Sequence, residues 1–245
     1  MATYDYKQGK KRVFEILDNP NNVIEQNRLP NDDNFNYEKG YYSWVTAIFV
    51  DIRQSTKLFT ENKRTTVAKI VRAFTSEIIE ILKDDANLRD IGIRGDCVYA
   101  IYTTPKFEDD YEIYNKAIYV NTYLLMLNKI LTKKNMPKIK AGIGISTDKE
   151  LVIKAGRKDA GVNDFVWIGN AVTHASKFSN MANKGKYKNI VASGCFMKDI
   201  IKQERKQYPN FCEDWFQRYE DKKLGLLYTF DIVITSFDNW ITNNI

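Results

Sequence analysis

Apolar residues along the chain alternate between short continuous runs, typical of strands, and the three- or four-residue spacing of amphipathic helices. Residues 44–50 form an apolar run rich in β-branched and aromatic side chains, which predicts a buried strand. Residues 62–83 and 109–131 repeat apolar positions at helical spacing and predict two long helices. Residues 88–103 predict a hairpin. In residues 138–146, apolar residues alternate strictly with a second set of residues that includes Gly142 and Gly144. This pattern predicts a strand with one apolar face and one face that is nearly bare of side chains.

Shorter elements complete the predicted fold after residue 146. They are strands at 152–155, 165–168, 189–192 and 226–235, and helices beyond Gly169 and at 194–205. The order β-α-β-β-α-β, followed by these elements, predicts an α+β fold with a ferredoxin-like antiparallel sheet and packed helices. We expect one domain at residues 44–235 and a C-terminal tail at 236–245. Residues 1–43 predict an N-terminal arm, mostly loop, with a short helix around Phe14.

The composition is that of a globular protein. With 245 residues, of which 44% are hydrophobic and 28% charged, the chain can bury one good core. The net charge of +6 suits an acidic ligand such as a nucleotide, although a Lys-rich solvated surface accounts for most of it. The sequence has no basic stripe with interleaved aromatic residues, so nucleic-acid binding is not expected.

The cysteines and the apolar runs indicate the cellular compartment. Cys97, Cys195 and Cys212 show neither paired nor metal-ligand spacing, which predicts reduced thiols and argues against a zinc site. The N-terminus lacks the apolar segment of a signal peptide, and no run approaches the ~18 apolar residues of a membrane span. We therefore expect a cytoplasmic protein without a membrane partner.

Two aspartates at predicted strand ends are the main candidates for chemistry. Asp51 ends the first strand, and Asp96 stands beside Gly95 at the turn of the hairpin. Two carboxylates brought together repel each other unless a divalent cation lies between them. Oxygen ligands favour Mg²⁺ or Mn²⁺, with substrate phosphates completing the coordination shell. The alternative interpretation of Asp51 is a cap for the following helix.

Three segments together resemble a known family. Phe49–Ile52 and Gly95–Tyr99 are similar to the two metal motifs of class III nucleotidyl cyclase catalytic domains, and Gly169–Lys177 is similar to that family's Gly-x-x-Val-Asn-x-Ala-Ser-Arg helix start. The segments follow the family's order and spacing, and the resemblance covers roughly residues 44–235. It implies that the 3′-hydroxyl of a nucleoside triphosphate attacks its own α-phosphate and that pyrophosphate leaves.

The resemblance also implies which residues act. Two divalent metal ions, Mn²⁺ or Mg²⁺, would be bound by Asp51, Asp96 and the backbone carbonyl of Ile52. Thr173 and Lys177 stand where the family has a transition-state Asn and Arg, and Lys177 keeps the charge but not the bidentate fork. Three polar residues would lie along the triphosphate: Gln54, Ser55 and Thr56. Family sites lie at a dimer interface, so a homodimer with two shared sites is expected.

The residues at the expected base-reading positions differ from those of purine cyclases. Gly92 and Val166 stand at the positions that we align with the adenine-reading Lys and Asp of adenylate cyclases. With both readers absent, the chain resembles the bacterial pyrimidine cyclases of the Pycsar anti-phage systems, whose cyclic UMP or cyclic CMP activates a separate effector. UTP is therefore the expected substrate. CTP is the close alternative, and a purine triphosphate is a further one.

Other interpretations remain open at this point. The substitutions at Thr173 and Lys177 are also compatible with a catalytically silent nucleotide-binding and dimerisation module. His174, the single histidine, lies either on a solvated helix face or in the site. Three basic residues near the C-terminus are candidates for binding the triphosphate: Arg218, Lys222 and Lys223.

Overall fold

The structure, a computed structural model, describes residues 4–20, 22–157, 161–210 and 214–245, apart from the side chains of residues 162 and 163. The helices are α1 Tyr6–Asp18, α2 Ser55–Glu61, α3 Arg64–Lys83, α4 Phe107–Lys133, α5 Asn170–Met181, α6 Gly194–Gln207 and α7 Thr235–Asn244. The strands are β1 Asn22–Glu25, β2 Lys39–Ile52, β3 Leu88–Arg94, β4 Cys97–Thr103, β5 Ala141–Arg157, β6 Val162–Ile168, β7 Ile190–Ser193, β8 Gln217–Asp221 and β9 Gly225–Phe230.

One sheet contains every strand of the described residues. Its order is β3-β4-β2-β5-β7-β9-β8, with β1 also paired to β2 and β6 also paired to β5. The pairs β1–β2 and β5–β7 are parallel, and the other pairs are antiparallel. β2 is central, because it pairs with β4 on one side and with β5 on the other. This register brings the end of β2 next to the β3–β4 turn.

The strict alternation of side chains along β2 gives the sheet two different faces. Ile48 and Val50 belong to a large apolar cluster with residues of α3, α4 and α6, and we call this side the covered face. Val45 and Ala47 point the other way and pack with Ala171 of α5, and we call that side the open face. Asp51 lies on the open face, because it has the same parity as Val45 and Ala47.

Two glycines of β5 let helix α5 lie directly on the open face. A Cβ atom on Gly144 would lie 2.1 Å from both the Ala175 carbonyl oxygen and the Ser179 nitrogen of α5. A Cβ atom on Gly142 would also meet the backbone of α5, at 2.3 Å from the Ser179 carbonyl oxygen. The bare strand face that the sequence predicts is therefore present, and its partner is α5.

The predicted α+β architecture is confirmed, with corrections at its edges. Strands 138–146 and 152–155 are parts of the single long strand β5. Residues 21–40 are not all loop, because β1 forms there and β2 begins at Lys39. The last predicted strand ends at Phe230, and the predicted tail forms α7, which buries Ile241. None of the helices in the described ranges is both long enough and apolar enough to cross a membrane.

Candidate active site

The two predicted metal aspartates lie side by side at one end of the sheet. Asp51 pairs in register with Cys97, the first residue of β4, and the Ile52 N–H lies 3.5 Å from the Asp96 carbonyl oxygen. Gly95 adopts a φ of 63°, the left-handed conformation that glycine tolerates best, so that the chain reverses immediately before Asp96. The hairpin and the central strand therefore bring the two carboxylate-bearing residues together, as the sequence predicts.

The electrostatics at this end of the sheet favour a cation. Burial raises the pKa of Asp51, and the negative charge of Asp96 raises it further, whereas Arg53 and Lys184 oppose the shift. Burial also raises the pKa of the neighbouring Cys97 thiol to about 12, with Asp51 and Asp96 contributing. Asp51 is already paired with Arg53, whose Nη2 lies 3.0 Å from Oδ2. A divalent ion would relieve the remaining repulsion between the two carboxylates.

The donor set suits a metal that is shared with the substrate. Within the described part of the chain, no group of three or more Asp, Glu, His or Cys side chains could hold a metal ion alone. Mg²⁺ is commonly bound by one or two carboxylates with substrate phosphates and water completing the shell, and Mn²⁺ also prefers oxygen ligands. Asp51 and Asp96, with the Ile52 carbonyl, fit that pattern, and they do not fit a closed structural site.

The predicted phosphate segment lies directly after the Asp51 strand. Gln54 has a φ of 55°, and helix α2 begins at the next residue, Ser55. The first turn of α2 contains no acidic residue, so its N–H groups and its positive dipole end are not neutralised within the helix. Gln54 and Thr56 are exposed and Ser55 is half-buried. The segment is therefore accessible to phosphate oxygens close to Asp51.

Helix α5 carries Thr173 and Lys177 on its exposed side. Its N-terminus lies on Glu150 of β5, which is fully buried and accepts a hydrogen bond from the Ala171 N–H at 2.5 Å. Burial raises the pKa of Glu150 to about 7, although the N–H groups of α5 oppose the shift. The second carboxylate oxygen of Glu150 has no hydrogen-bond partner within the described residues. Sequence reasoning missed Glu150, because a charged residue in an otherwise ordinary strand gives no motif.

The base-reading positions reveal another missed residue. Asp90 lies on β3, two residues before Gly92 and therefore on the same face. The indole N–H of Trp167 donates to Asp90 at 3.3 Å, and the Tyr99 hydroxyl lies 3.5 Å from the same carboxylate. The ring of Tyr99 covers Gly92, since a Cβ atom there would lie 2.7 Å from the Tyr99 hydroxyl oxygen. Strand alternation around Gly92 could have identified Asp90.

Val166 does not share this environment. Its neighbour Trp167 packs with the apolar cluster of the open face, so Val166 points to the opposite side of β6 and is 39% exposed. The hydrogen bond from β6 to β3 therefore joins Trp167 to Asp90. It does not join the two positions, Gly92 and Val166, that the sequence singled out.

A cavity of about 740 Å³ is lined mainly by α6, together with residues of β5, β8 and β9, and neither Asp51 nor Asp96 lines it. His174 lines it, and burial together with the charge of Lys177 lowers the pKa of that histidine. Arg218 also lines the cavity, whereas Lys222 and Lys223 are exposed on the turn between β8 and β9. His174 is half-buried, and both interpretations of it stay predictions.

Comparisons with known proteins show the family and the fold of this chain. The family model of the adenylate and guanylate cyclase catalytic domain matches residues 37–206. A uridylate cyclase from Treponema porcinum is 47% identical over 238 residues, which cover 97% of this chain and 81% of that protein. The solved adenylyl cyclase CyaB from P. aeruginosa has a TM-score of 0.63 and 18% identity, covering 80% of this chain and 97% of that one.

A further solved structure is the non-canonical dimeric guanylyl cyclase domain of the RhoGC fusion protein from the aquatic fungus Blastocladiella emersonii. Its TM-score is 0.52 and its identity 14%, and the match covers 78% of this chain and 96% of that chain. At such identities the two solved structures show similarity of fold alone. They support the architecture of the sheet and helices described above.

Proposed function

Because this chain belongs to the family of adenylate and guanylate cyclase catalytic domains, we propose that it converts a pyrimidine nucleoside triphosphate to its 3′,5′-cyclic monophosphate and pyrophosphate. The observation that carries the proposal is the pair of aspartates, Asp51 and Asp96, at neighbouring strand ends. The raised pKa of Asp51 supports it, because burial disfavours the free carboxylate and the charge of Asp96 adds to that cost, and a bound cation would offset both effects.

The proposed roles follow from where each residue lies. Asp51, Asp96 and the Ile52 carbonyl would hold two divalent ions, Mn²⁺ or Mg²⁺. When bound, such ions activate an attacking hydroxyl and stabilise the charge on the leaving pyrophosphate. Thr173 would donate a hydrogen bond and Lys177 a positive charge to the reacting phosphoryl group. Three residues at the start of α2 would bind phosphate oxygens: Gln54, Ser55 and Thr56.

We further propose that two copies of the chain share two equivalent sites. The exposed position of Lys177 on α5 supports this arrangement, because its side chain is available to a second chain. The fungal guanylyl cyclase domain is named as a non-canonical dimer, which supports self-association of such domains and not a particular arrangement of their sites. In such a homodimer, the aspartates of one chain face Thr173 and Lys177 of the other. The two-fold symmetry then makes both sites identical.

UTP is the proposed substrate, with CTP as the alternative. The name of the Treponema porcinum relative supports UTP, and the absence of the two aligned purine readers, at Gly92 and Val166, argues against ATP. Asp90, which lies on the same strand and face as Gly92 and is held by Trp167 and Tyr99, is a carboxylate that can accept a hydrogen bond from a base N–H. We also propose that the enzyme acts in the cytoplasm and that its product signals to a separate effector in anti-phage defence.

A competition assay tests this proposal. The purified protein is incubated with equal concentrations of UTP, CTP, ATP and GTP and with Mn²⁺, and the cyclic products are separated by mass. We expect cyclic UMP to predominate. A predominance of cyclic AMP or cyclic GMP would contradict the pyrimidine assignment and leave the cyclase assignment intact. The substitutions at Thr173 and Lys177 favour one other candidate, a silent nucleotide-binding module, and release of no pyrophosphate from any triphosphate would support it.

A further inference from the structure

Arg53 occupies an unusual position between the metal aspartate and helix α5. Its side chain is only 5% exposed, and its guanidinium binds Asp51 through Nη2. The same Nη2 donates to the Ser179 carbonyl oxygen, and Nη1 donates to the Asn180 carbonyl oxygen at 3.1 Å. Arg53 thus contacts the metal-ligand carboxylate and the last turn of α5 at the same time.

The contacts with α5 have a clear physical reason. The last carbonyl groups of a helix have no partner within the helix, and they form the negative end of its dipole. Arg53 supplies both hydrogen-bond donors and a positive charge to this end, although it lies 126 residues from Ser179 in the sequence. Gly142 makes room for the arrangement, because a Cβ atom there would lie 2.7 Å from the Arg53 Nη2.

The geometry also links two different catalytic sites. Lys177 stands two residues before Ser179 on α5, and under the proposed function it serves the site of the partner chain. Asp51 binds metal in its own chain's site. We propose that Arg53 is a positioning residue that couples metal binding at Asp51 to the last turn of α5, and thereby to Lys177 in the second site of the dimer. This inference rests on the proposed function.

The direction of the coupling follows from charge. A divalent cation on Asp51 takes up the carboxylate charge that now attracts Arg53 and repels the guanidinium. The guanidinium then keeps its partners on α5, which are the backbone carbonyl oxygens of Ser179 and Asn180 and the Asn180 Oδ1, and binds them more strongly. Metal binding at one site therefore stabilises the last turn of α5, which positions Lys177 in the other site. By reciprocity, loosening that helix end changes metal affinity at Asp51.

Hydrogen exchange and metal binding, measured without nucleotide, test the coupling. Mn²⁺ binding is followed by electron paramagnetic resonance, and exchange in the last turn of α5 is followed by mass spectrometry. In the wild type, we expect saturating Mn²⁺ to slow exchange there several-fold. In Arg53→Gln, we expect exchange about tenfold faster than in wild type and unaffected by Mn²⁺, because the charged donors to two carbonyls are lost. Arg53→Gln still binds Mn²⁺, and more tightly, because a competing cation is removed.

Matched variants make each outcome decisive. Arg72→Gln, an exposed arginine on α3, is expected to behave as wild type. Arg53→Lys keeps the charge, but a lysine cannot reach Asp51 and both carbonyl oxygens, so we expect exchange in the last turn of α5 to be faster in this variant as well. Arg53→Lys therefore provides the test if Arg53→Gln does not fold. If Mn²⁺ slowed hydrogen exchange in the last turn of α5 as much in the Arg53 variants as in wild type, the inference would be overturned.

The two proposals fail in distinguishable ways. If wild type binds Mn²⁺ in a manner that Asp51→Asn abolishes, but exchange of α5 does not respond, the coupling is overturned and the metal assignment stands. If no Mn²⁺ binding depends on Asp51, the metal assignment itself is wrong, and the coupling is overturned with it.

Discussion

The two faces of the sheet bury charge in different ways. On the covered face, the carboxyl of Asp110 lies among threonine hydroxyls and accepts hydrogen bonds from Thr46 and Thr147. Burial raises its pKa to about 7 in spite of these bonds. On the open face, Glu150 and Arg53 lie at the two ends of α5 and match the sign of its dipole. Asp51, also on the open face, is partly accessible near the end of β2.

The two faces also differ in what covers them. Helices α3, α4 and α6 cover one face with apolar side chains. Among the described residues, α5 packs directly on β5 at the open face, and Glu150 and Arg53 contact its two ends. The positions proposed for catalysis lie around that helix. Asp51 is near the end of β2, Asp96 is in the adjacent β3–β4 turn, and Lys177 is on the exposed side of α5. Variants on each face should therefore affect different properties.

The largest effect is expected from Asp51→Asn on the open face. Removing a metal-ligand charge should lower turnover at least about a thousandfold, because the ion's stabilisation of transition-state charge is worth several kcal/mol. The unfolding free energy should hardly change, since burial already raises the pKa of this carboxyl. Pyrophosphate release and urea denaturation measure the two properties. Asp84→Asn, at an exposed position, is the control. Wild-type turnover in Asp51→Asn would contradict the metal assignment.

The opposite pattern is expected from Phe74→Ala on the covered face. Phe74 is fully buried in the apolar cluster of α3, so the change should cost about 3–5 kcal/mol of stability through lost burial and a cavity. Turnover per folded molecule should stay near wild type. Urea denaturation gives the first value and active-site-normalised kinetics the second. Phe14→Ala, at an exposed position on α1, is the control and should change neither stability nor turnover. A catalytic defect in folded Phe74→Ala would contradict the separation of the two faces by function.

Gly144→Ala should affect stability and turnover together. The new methyl would collide with the backbone of α5, which cannot yield as a side chain can, and we expect a loss of about 1–3 kcal/mol. Turnover should fall as well, because α5 carries Thr173 and Lys177. Gly40→Ala is the matched control in β2, where the methyl would meet only side-chain atoms at 3.1 Å or more. Unchanged turnover in Gly144→Ala would dissociate α5 from the chemistry.

A smaller, pH-dependent effect is expected from Glu150→Gln. The pKa of Glu150 is raised from 4.5 to about 7, so the folded state binds the proton more tightly than the unfolded state. Its contribution to stability is full below pH 4.5 and is lost as the pH rises through 7. Relative to wild type, Glu150→Gln should gain about 1–3 kcal/mol between pH 4.5 and 8. Glu77→Gln, exposed on α3, should show no such change. A pH-independent difference would contradict the assignment.

The covered face was predictable because its residues repeat. Ile70, Phe74 and Ile78 follow the helical period, and they pack in α3 as expected. Four elements were not predicted: β1, α2, β8 and α7. β1 is exposed throughout and pairs through its backbone, so buried side chains give it no pattern. α7 is short and fully buries only Ile241, although Phe237, four residues earlier, also packs on the core.

The open face was predictable only where its residues form local motifs. The Asp51 and Asp96 segments were recognisable, because Asp51 lies near the end of an apolar strand and Asp96 lies in a Gly-Asp turn between two apolar strands. Arg53 and Glu150 were not, because their partners are the two ends of α5, which only the folded sheet brings near them. Lys177 and Thr173 in catalysis, like Gln54 to Thr56 at the phosphates, stay predictions.

Subunit complementation tests the central claim, a metal site on the open face completed by α5 of a second chain, most directly. Asp51→Asn and Lys177→Ala proteins are each assayed alone and then mixed under conditions in which subunit exchange is demonstrated with tagged chains. Each variant alone should be nearly inactive. The mixed dimer keeps one intact site and should recover up to about half of the wild-type activity per heterodimer, since one of two equivalent sites is restored. No recovery despite complete exchange would place Asp51 and Lys177 in the same chain's site and contradict the account.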